Sequence, residues 1–146
     1  MASRRLQTYT SLWAMMPHDT SGEILPYDSI CEMVAGAGYD GMAIDLGAGD
    51  VAQAREVRPH MERHGLTPLI VAFPKTVESL RETLVMAKDF GAPFVDVIGQ
   101  VMPLSVDGMI PVIRRWIDMA DEVGMPIQFE THRNCITNDL YATLCL

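Results

Sequence analysis

Apolar and polar positions along the chain follow a rhythm that occurs four times: an amphipathic stretch, a glycine, then a short β-rich run. Gly38 precedes Met42-Ala43-Ile44-Asp45-Leu46, and Gly65 precedes Leu69-Ile70-Val71-Ala72-Phe73. Gly91 precedes Phe94-Val95-Asp96-Val97-Ile98, and Gly124 precedes Ile127-Gln128-Phe129-Glu130. The glycines lie 27, 26 and 33 residues apart, about the length of one helix, one strand and two tight turns. The residue just past a helix C-terminus often turns left-handed, which glycine does cheaply. The pattern predicts a repeating αβ unit.

The intervening helices carry start signals. Asp50 and Gln53 have capping-box spacing ahead of Val51, Ala54, Val57 and Met61; Thr76 precedes Val77, Leu80, Leu84 and Ala87; Ser105 precedes Met109, Val112, Ile113, Trp116, Ile117 and Ala120. A first helix is expected from Pro26 to Ala35, and Thr8 to Met15 reads as the opening strand. Pro59 and Pro111 fall inside two of the helices and weaken their expected continuity. Strands alternating with helices pair in parallel through right-handed crossovers, so the class is α/β.

Two architectures compete: a five-stranded doubly wound sheet, complete at 146 residues, or part of a (β/α)8 barrel. A doubly wound sheet favours uniformly apolar strands. Here Asp45, Asp96 and the Gln128-Glu130-His132 series interrupt the strands on alternate positions, as a barrel lumen requires. The expectation is therefore a single domain over 1–146, a partial TIM barrel with about five strands and four to five helices. Leu140 to Leu146 reads as the start of a fifth helix cut short.

Composition narrows the function. With 49% hydrophobic and 21% charged residues the chain is globular, and 11 basic against 19 acidic residues give −8 with no basic stripe, so nucleic acid is excluded as an expected partner. Cys31, Cys135 and Cys145 show no metal spacing and leave one odd, which fits reduced thiols. Arg4 and Arg5 are not followed by a continuous apolar stretch, and the apolar runs are far shorter than the ~20 residues that span a bilayer. The expected location is cytoplasmic, with no membrane partner.

Gln128-Phe129-Glu130-Thr131-His132-Arg133 is the strongest candidate constellation. Period-two geometry puts Gln128, Glu130 and His132 on one face and Phe129 on the other, at the strand end that forms the active-site rim of a parallel fold. A carboxylate closing a buried strand is costly unless paired, hydrogen-bonded or metal-bound. His18, in the loop after the first strand, and Asp45 share that rim. Trp13 either lines the lumen or packs the core, with packing favoured. Asp96, deeper in its strand, is read as hydrogen-bonding a neighbouring layer. Gly36-Ala37-Gly38-Tyr39-Asp40-Gly41 matches G-x-G-x-x-G but follows a helix and precedes a strand, the reverse of a dinucleotide site. His60 and His64 lie four apart at a helix C-terminus without the H-E-x-x-H pattern, so zinc is not expected there. Lys75 reads as a solvated lysine at a helix start.

Gly38-Tyr39-Asp40-Gly41-Met42, Gly65-Leu66-Thr67-Pro68, Gly91-Ala92-Pro93-Phe94-Val95 and Gly124-Met125-Pro126-Ile127-Gln128-Phe129-Glu130-Thr131-His132, in this order and spacing, resemble the xylose isomerase-like TIM-barrel superfamily over residues 8 to 140, its N-terminal portion. The resemblance implies a divalent metal, Mn²⁺ or Mg²⁺. Glu130 would be both metal ligand and catalytic acid/base, and His132, Asp45, Trp13 and His18 substrate contacts. Ala43 stands where many relatives carry Glu, with Asp45 two positions on. The remaining metal ligands would lie on strands six to eight, so the site in this chain is incomplete.

The implied function is that of a metal-dependent sugar or sugar-phosphate isomerase or epimerase acting through an enediolate. Such a protein would be truncated and incomplete alone. The alternative is a non-catalytic half-barrel whose open sheet edges pair with another copy or chain. A third reading, a metal-dependent phosphodiesterase or endonuclease of the same superfamily, is disfavoured by the negative charge.

Overall fold

The computed structural model describes residues 5–16, 25–102 and 104–146. In chain order the elements are β1 (Tyr9–Ser11), α1 (Leu12–Met15), α2 (Tyr27–Gly36), β2 (Gly41–Asp45), α3 (Val51–Arg63), β3 (Thr67–Ala72), α4 (Leu80–Phe90), β4 (Val95–Val97), α5 (Val106–Val123), β5 (Ile127–Phe129) and α6 (Leu140–Cys145). The strands form one sheet in the order β1-β2-β3-β4-β5. Tyr9 pairs in parallel with Gly41, Ile70 with Val95, and Val95 with Ile127. A doubly wound sheet reverses direction at a switch point and places non-consecutive strands side by side. The strictly sequential order is that of a barrel-type α/β fold.

All four rhythm glycines adopt left-handed dihedrals: Gly38 (φ 85°), Gly65 (68°), Gly91 (76°) and Gly124 (70°). The helices between them start largely where their caps predict. Asp50 accepts from the Gln53 N–H at 2.8 Å, and Ser105 accepts from the Gly108 N–H at 3.2 Å. Thr76 and Ser79 instead cap each other, the N–H of each donating to the other's hydroxyl. That exchange closes a separate turn, so α4 begins only at Leu80. Helices α3 and α5 run unbroken through Pro59 and Pro111. Each has an apolar face buried along its length, and packing rather than propensity sustains a helix in a protein.

The chain divides into two compact units, Met1–Leu69 and Ile70–Leu146. In the first, Ile30, Val34, Met42, Ile44, Val57 and Met61 form the core. The opening strand is shorter than the expected Thr8–Met15: it ends at Ser11, and Leu12-Trp13-Ala14-Met15 turns into α1. None of these four residues is β-branched, and Leu, Ala and Met are strong helix formers. Trp13 is consequently 51% exposed rather than packed in a core. In the second unit Trp116, Leu80, Leu84, Val95, Val97 and Met119 are buried. No described helix is long and apolar enough to cross a membrane.

Candidate functional site

In the second unit the site begins with strand register. Asp96 on β4 stands beside Val71 on one side and Gln128 on the other, so the Asp96 and Gln128 side chains project from the same face of the sheet. Val95 and Val97, flanking Asp96, are fully buried. Phe129, one residue along β5, faces the other way and stacks on Trp116 of α5 with ring centroids 6.1 Å apart. Beyond the end of β5 the ladder continues for one more bond, the Glu130 N–H donating to the Val97 carbonyl at 3.1 Å. Glu130 is thereby held two residues beyond Gln128, next to Asp96.

The two carboxyls differ in environment. Glu130 is exposed and so is Gln128, because β5 is the last strand of the sheet. The expectation that Glu130 closes a buried strand is thus corrected: the carboxyl withdrawn from water is Asp96, only 9% exposed and on an interior strand. Its Oδ1 is buried without a hydrogen-bond partner. Burial pushes Asp96 up to about 6, with the neighbouring Glu130 carboxyl adding to the rise through a hydrogen bond and charge repulsion; the Gln128 side chain and the Val97 N–H pull against it. A hydrogen bond between two carboxyls requires a proton on one of them.

This has a consequence for stability. The folded chain binds a proton at Asp96 that the unfolded chain releases near the ordinary value of 3.8. Stability contributed by this group is therefore present at low pH and lost as pH rises from roughly 4 through 6. Asp28, Asp40 and Glu122 are shifted in the opposite direction by basic and N–H partners, so the wild type is best compared with Asp96→Asn, in which only this contribution vanishes. The variant is expected to gain about 5 °C in Tm relative to wild type between pH 4 and pH 7.5. Parallel pH profiles in thermal melts would contradict it.

His132 lies in the loop after β5, its ring edge-on to Phe73 with centroids 6.1 Å apart and an interplanar angle of 88°. That loop is fixed by the Ile136 N–H donating to the Gly99 carbonyl at 2.9 Å and by the Asn134 N–H donating to Asn138 Oδ1 at 2.7 Å. Among the described residues no three His, Cys, Asp or Glu side chains come together as a metal site. Mg²⁺ takes about six oxygen ligands. The two carboxyls alone do not complete the site expected for Mn²⁺ or Mg²⁺.

In the first unit the structure brings Trp13 and Asp45 together. With Leu12, Met16, Ala48, Gly49 and Gln53 they line a cavity of about 250 Å³. Asp45 Oδ1 accepts from the N–H groups of Gly47 (2.7 Å) and Ala48 (3.0 Å), closing a turn at the end of β2. Gln53 Oε1 lies 1.9 Å from where a Cβ on Gly49 would sit, so only glycine there lets the Gln53 amide occupy this position. His18 lies outside the described residues. His60 and His64 are each 3.2 Å from Asp28 Oδ1, joined there by Arg63; they tie α3 to α2. Lys75 is exposed after β3.

Fold and site together define a parallel α/β protein of partial TIM-barrel type with polar side chains at the strand C-termini. No protein-family profile matches the chain, and no curated protein sequence does. Solved structures do. The 4-hydroxy-tetrahydrodipicolinate synthase of Methylacidiphilum fumariolicum SolV aligns with 95% of this chain and 49% of its own, at 13% identity and TM-score 0.65. YagE, a prophage protein of the dihydrodipicolinic acid synthase family from E. coli K12, in complex with pyruvate, covers 84% of this chain and 43% of its own, at 20% identity and TM-score 0.61. The 3-dehydroquinate dehydratase of Geobacillus kaustophilus HTA426 covers 94% and 55%, at 16% identity and TM-score 0.59. The chain spans about half the length of these structures, and at such identities the likeness is one of fold.

Proposed function

We propose that the chain is a partial TIM-barrel domain over 1–146 of the sugar or sugar-phosphate isomerase/epimerase kind, which moves a proton at the carbon beside a carbonyl. A barrel fold hosts many chemistries, so the reading rests on the site. The observation that carries it is the pairing of Asp96, a buried carboxyl on β4 with an unpartnered oxygen, with the exposed Glu130 just past the end of the adjacent parallel strand β5. Environments that push two carboxyls apart assign their roles. Glu130, as carboxylate, takes the proton from carbon, while protonated Asp96 gives its proton to the carbonyl oxygen, leaving an enediol. Glu130 then returns its proton to the neighbouring carbon, and the second hydroxyl returns a proton to Asp96. The carbonyl has moved, and both groups are restored.

The test is incubation of the protein in D₂O with a panel of C4 to C6 aldoses, ketoses and their phosphates, followed by NMR at the carbon adjacent to the carbonyl. Deuterium is expected there well above the uncatalysed rate. The alternative is assembly with a second copy: β1 and β5 each have one neighbour in the sheet, and α6 exposes Leu140, Tyr141 and Leu144. A defined dimer in light scattering, with no exchange on any member of the panel, selects that reading instead.

A further inference from the structure

On the sheet face that carries Asp96, its two cross-strand neighbours differ in kind. Val71 of β3 stands level with it on one side and Gln128 of β5 on the other, so only the β5 side offers a side chain that can hydrogen-bond. Glu130, two residues on, returns to the same face and is held there by its N–H bond to the Val97 carbonyl. The Asp96 carboxyl therefore meets one neutral amide and one carboxyl, and it is hydrogen-bonded to both side chains. Its Oδ1 has no partner among the described residues, so these few bonds set how the group lies.

The two partners respond differently to the proton. A bond between Asp96 and Glu130 exists only while one of them is protonated. An amide carries both donor hydrogens and an acceptor oxygen: the Gln128 N–H₂ donates to ionised Asp96, and its Oε1 accepts from protonated Asp96. Gln128 thus remains a partner when the bond to Glu130 is lost. We infer that Gln128 is a positioning residue: its amide keeps the Asp96 carboxyl aligned beside Glu130 in both protonation states through which the acid/base cycle passes. The role in a cycle rests on the function proposed above; the contact with Asp96 does not.

Gln128 is exposed, so neither Gln128→Met nor Gln128→Glu removes anything from a packed core. The Asp96 ¹³Cγ resonance of the whole chain, assigned by its absence in Asp96→Asn, is followed by NMR against pH. Gln128→Met keeps the length of the side chain but cannot donate, and the Asp96 midpoint is expected to rise by about half a unit to one unit, the worth of one hydrogen bond. Gln128→Glu should raise it further, because an ionised carboxylate only accepts and also repels. Deuterium exchange on the C4 to C6 sugar panel is expected to fall about 3- to 10-fold in Gln128→Met, its alkaline limb moving upward with the Asp96 midpoint. An Asp96 midpoint in Gln128→Met equal to or below that of wild type overturns this inference alone. A raised midpoint with the rate and the limb of exchange unchanged overturns the positioning role. A raised midpoint in a protein whose wild type exchanges no member of the panel supports the contact and overturns the proposed function.

Discussion

In Glu130→Gln, deuterium exchange at the carbon beside the carbonyl is expected to fall by about 10²- to 10⁴-fold, the usual contribution of a positioned acid or base. Glutamine keeps the shape and the backbone bond to Val97 but cannot take a proton. Asp96→Asn is expected to cost a similar factor for a different reason, since it removes the proton donated to the carbonyl oxygen. The two losses should not multiply in the double variant, because groups acting on one proton cycle are strongly non-additive. Stability separates this from unfolding: Asn at 96 relieves the burial of charge above pH 6, so the variant should be dead in exchange yet melt higher than wild type. Exchange within threefold of wild type in either variant would remove that residue from the acid/base pair.

Trp116→Ala is expected to lose about 3–5 kcal/mol of unfolding free energy, a large part of the 5–15 kcal/mol typical of a domain. Trp116 is fully buried, stacks on Phe129, and donates its indole N–H to the Val77 carbonyl at 2.9 Å. A Cβ on Gly99 would approach its ring to 2.8 Å, so the indole fills the space directly beneath the end of β4. Trp116→Phe should cost less, about 1–3 kcal/mol, chiefly from leaving the Val77 carbonyl unpaired and a smaller void. Urea unfolding followed by circular dichroism reads both. Matching midpoints for wild type and Trp116→Ala would show that the second unit does not depend on this ring.

Period and glycine spacing carried the repeating unit, since each left-handed helix stop needs the one residue without a Cβ. The polar interruptions carried the choice of barrel over doubly wound sheet, which the strand order bears out. Boundaries were less legible: nothing local shows that Thr76 and Ser79 satisfy each other, or that the chain leaves β1 at Leu12. The site was legible as a face but not as an environment. Alternation placed Gln128 and Glu130 together, yet burial depends on which strand ends the sheet, and that is a tertiary fact. Asp96 between Val95 and Val97 was the available signal of a desolvated carboxyl; its pairing with Glu130 depends on the register between β4 and β5.

The sequential order of the strands has a consequence for how such a chain is built and altered. Every strand neighbour in the sheet is also its neighbour in sequence, so the sheet is a linear array in which contacts close over short stretches and ordering can spread from any nucleus to the adjoining element. Adding or removing a whole strand-and-helix unit at either end creates or deletes a single interface and leaves the others as they were. Stability should then scale stepwise with the number of units, as in a repeat protein.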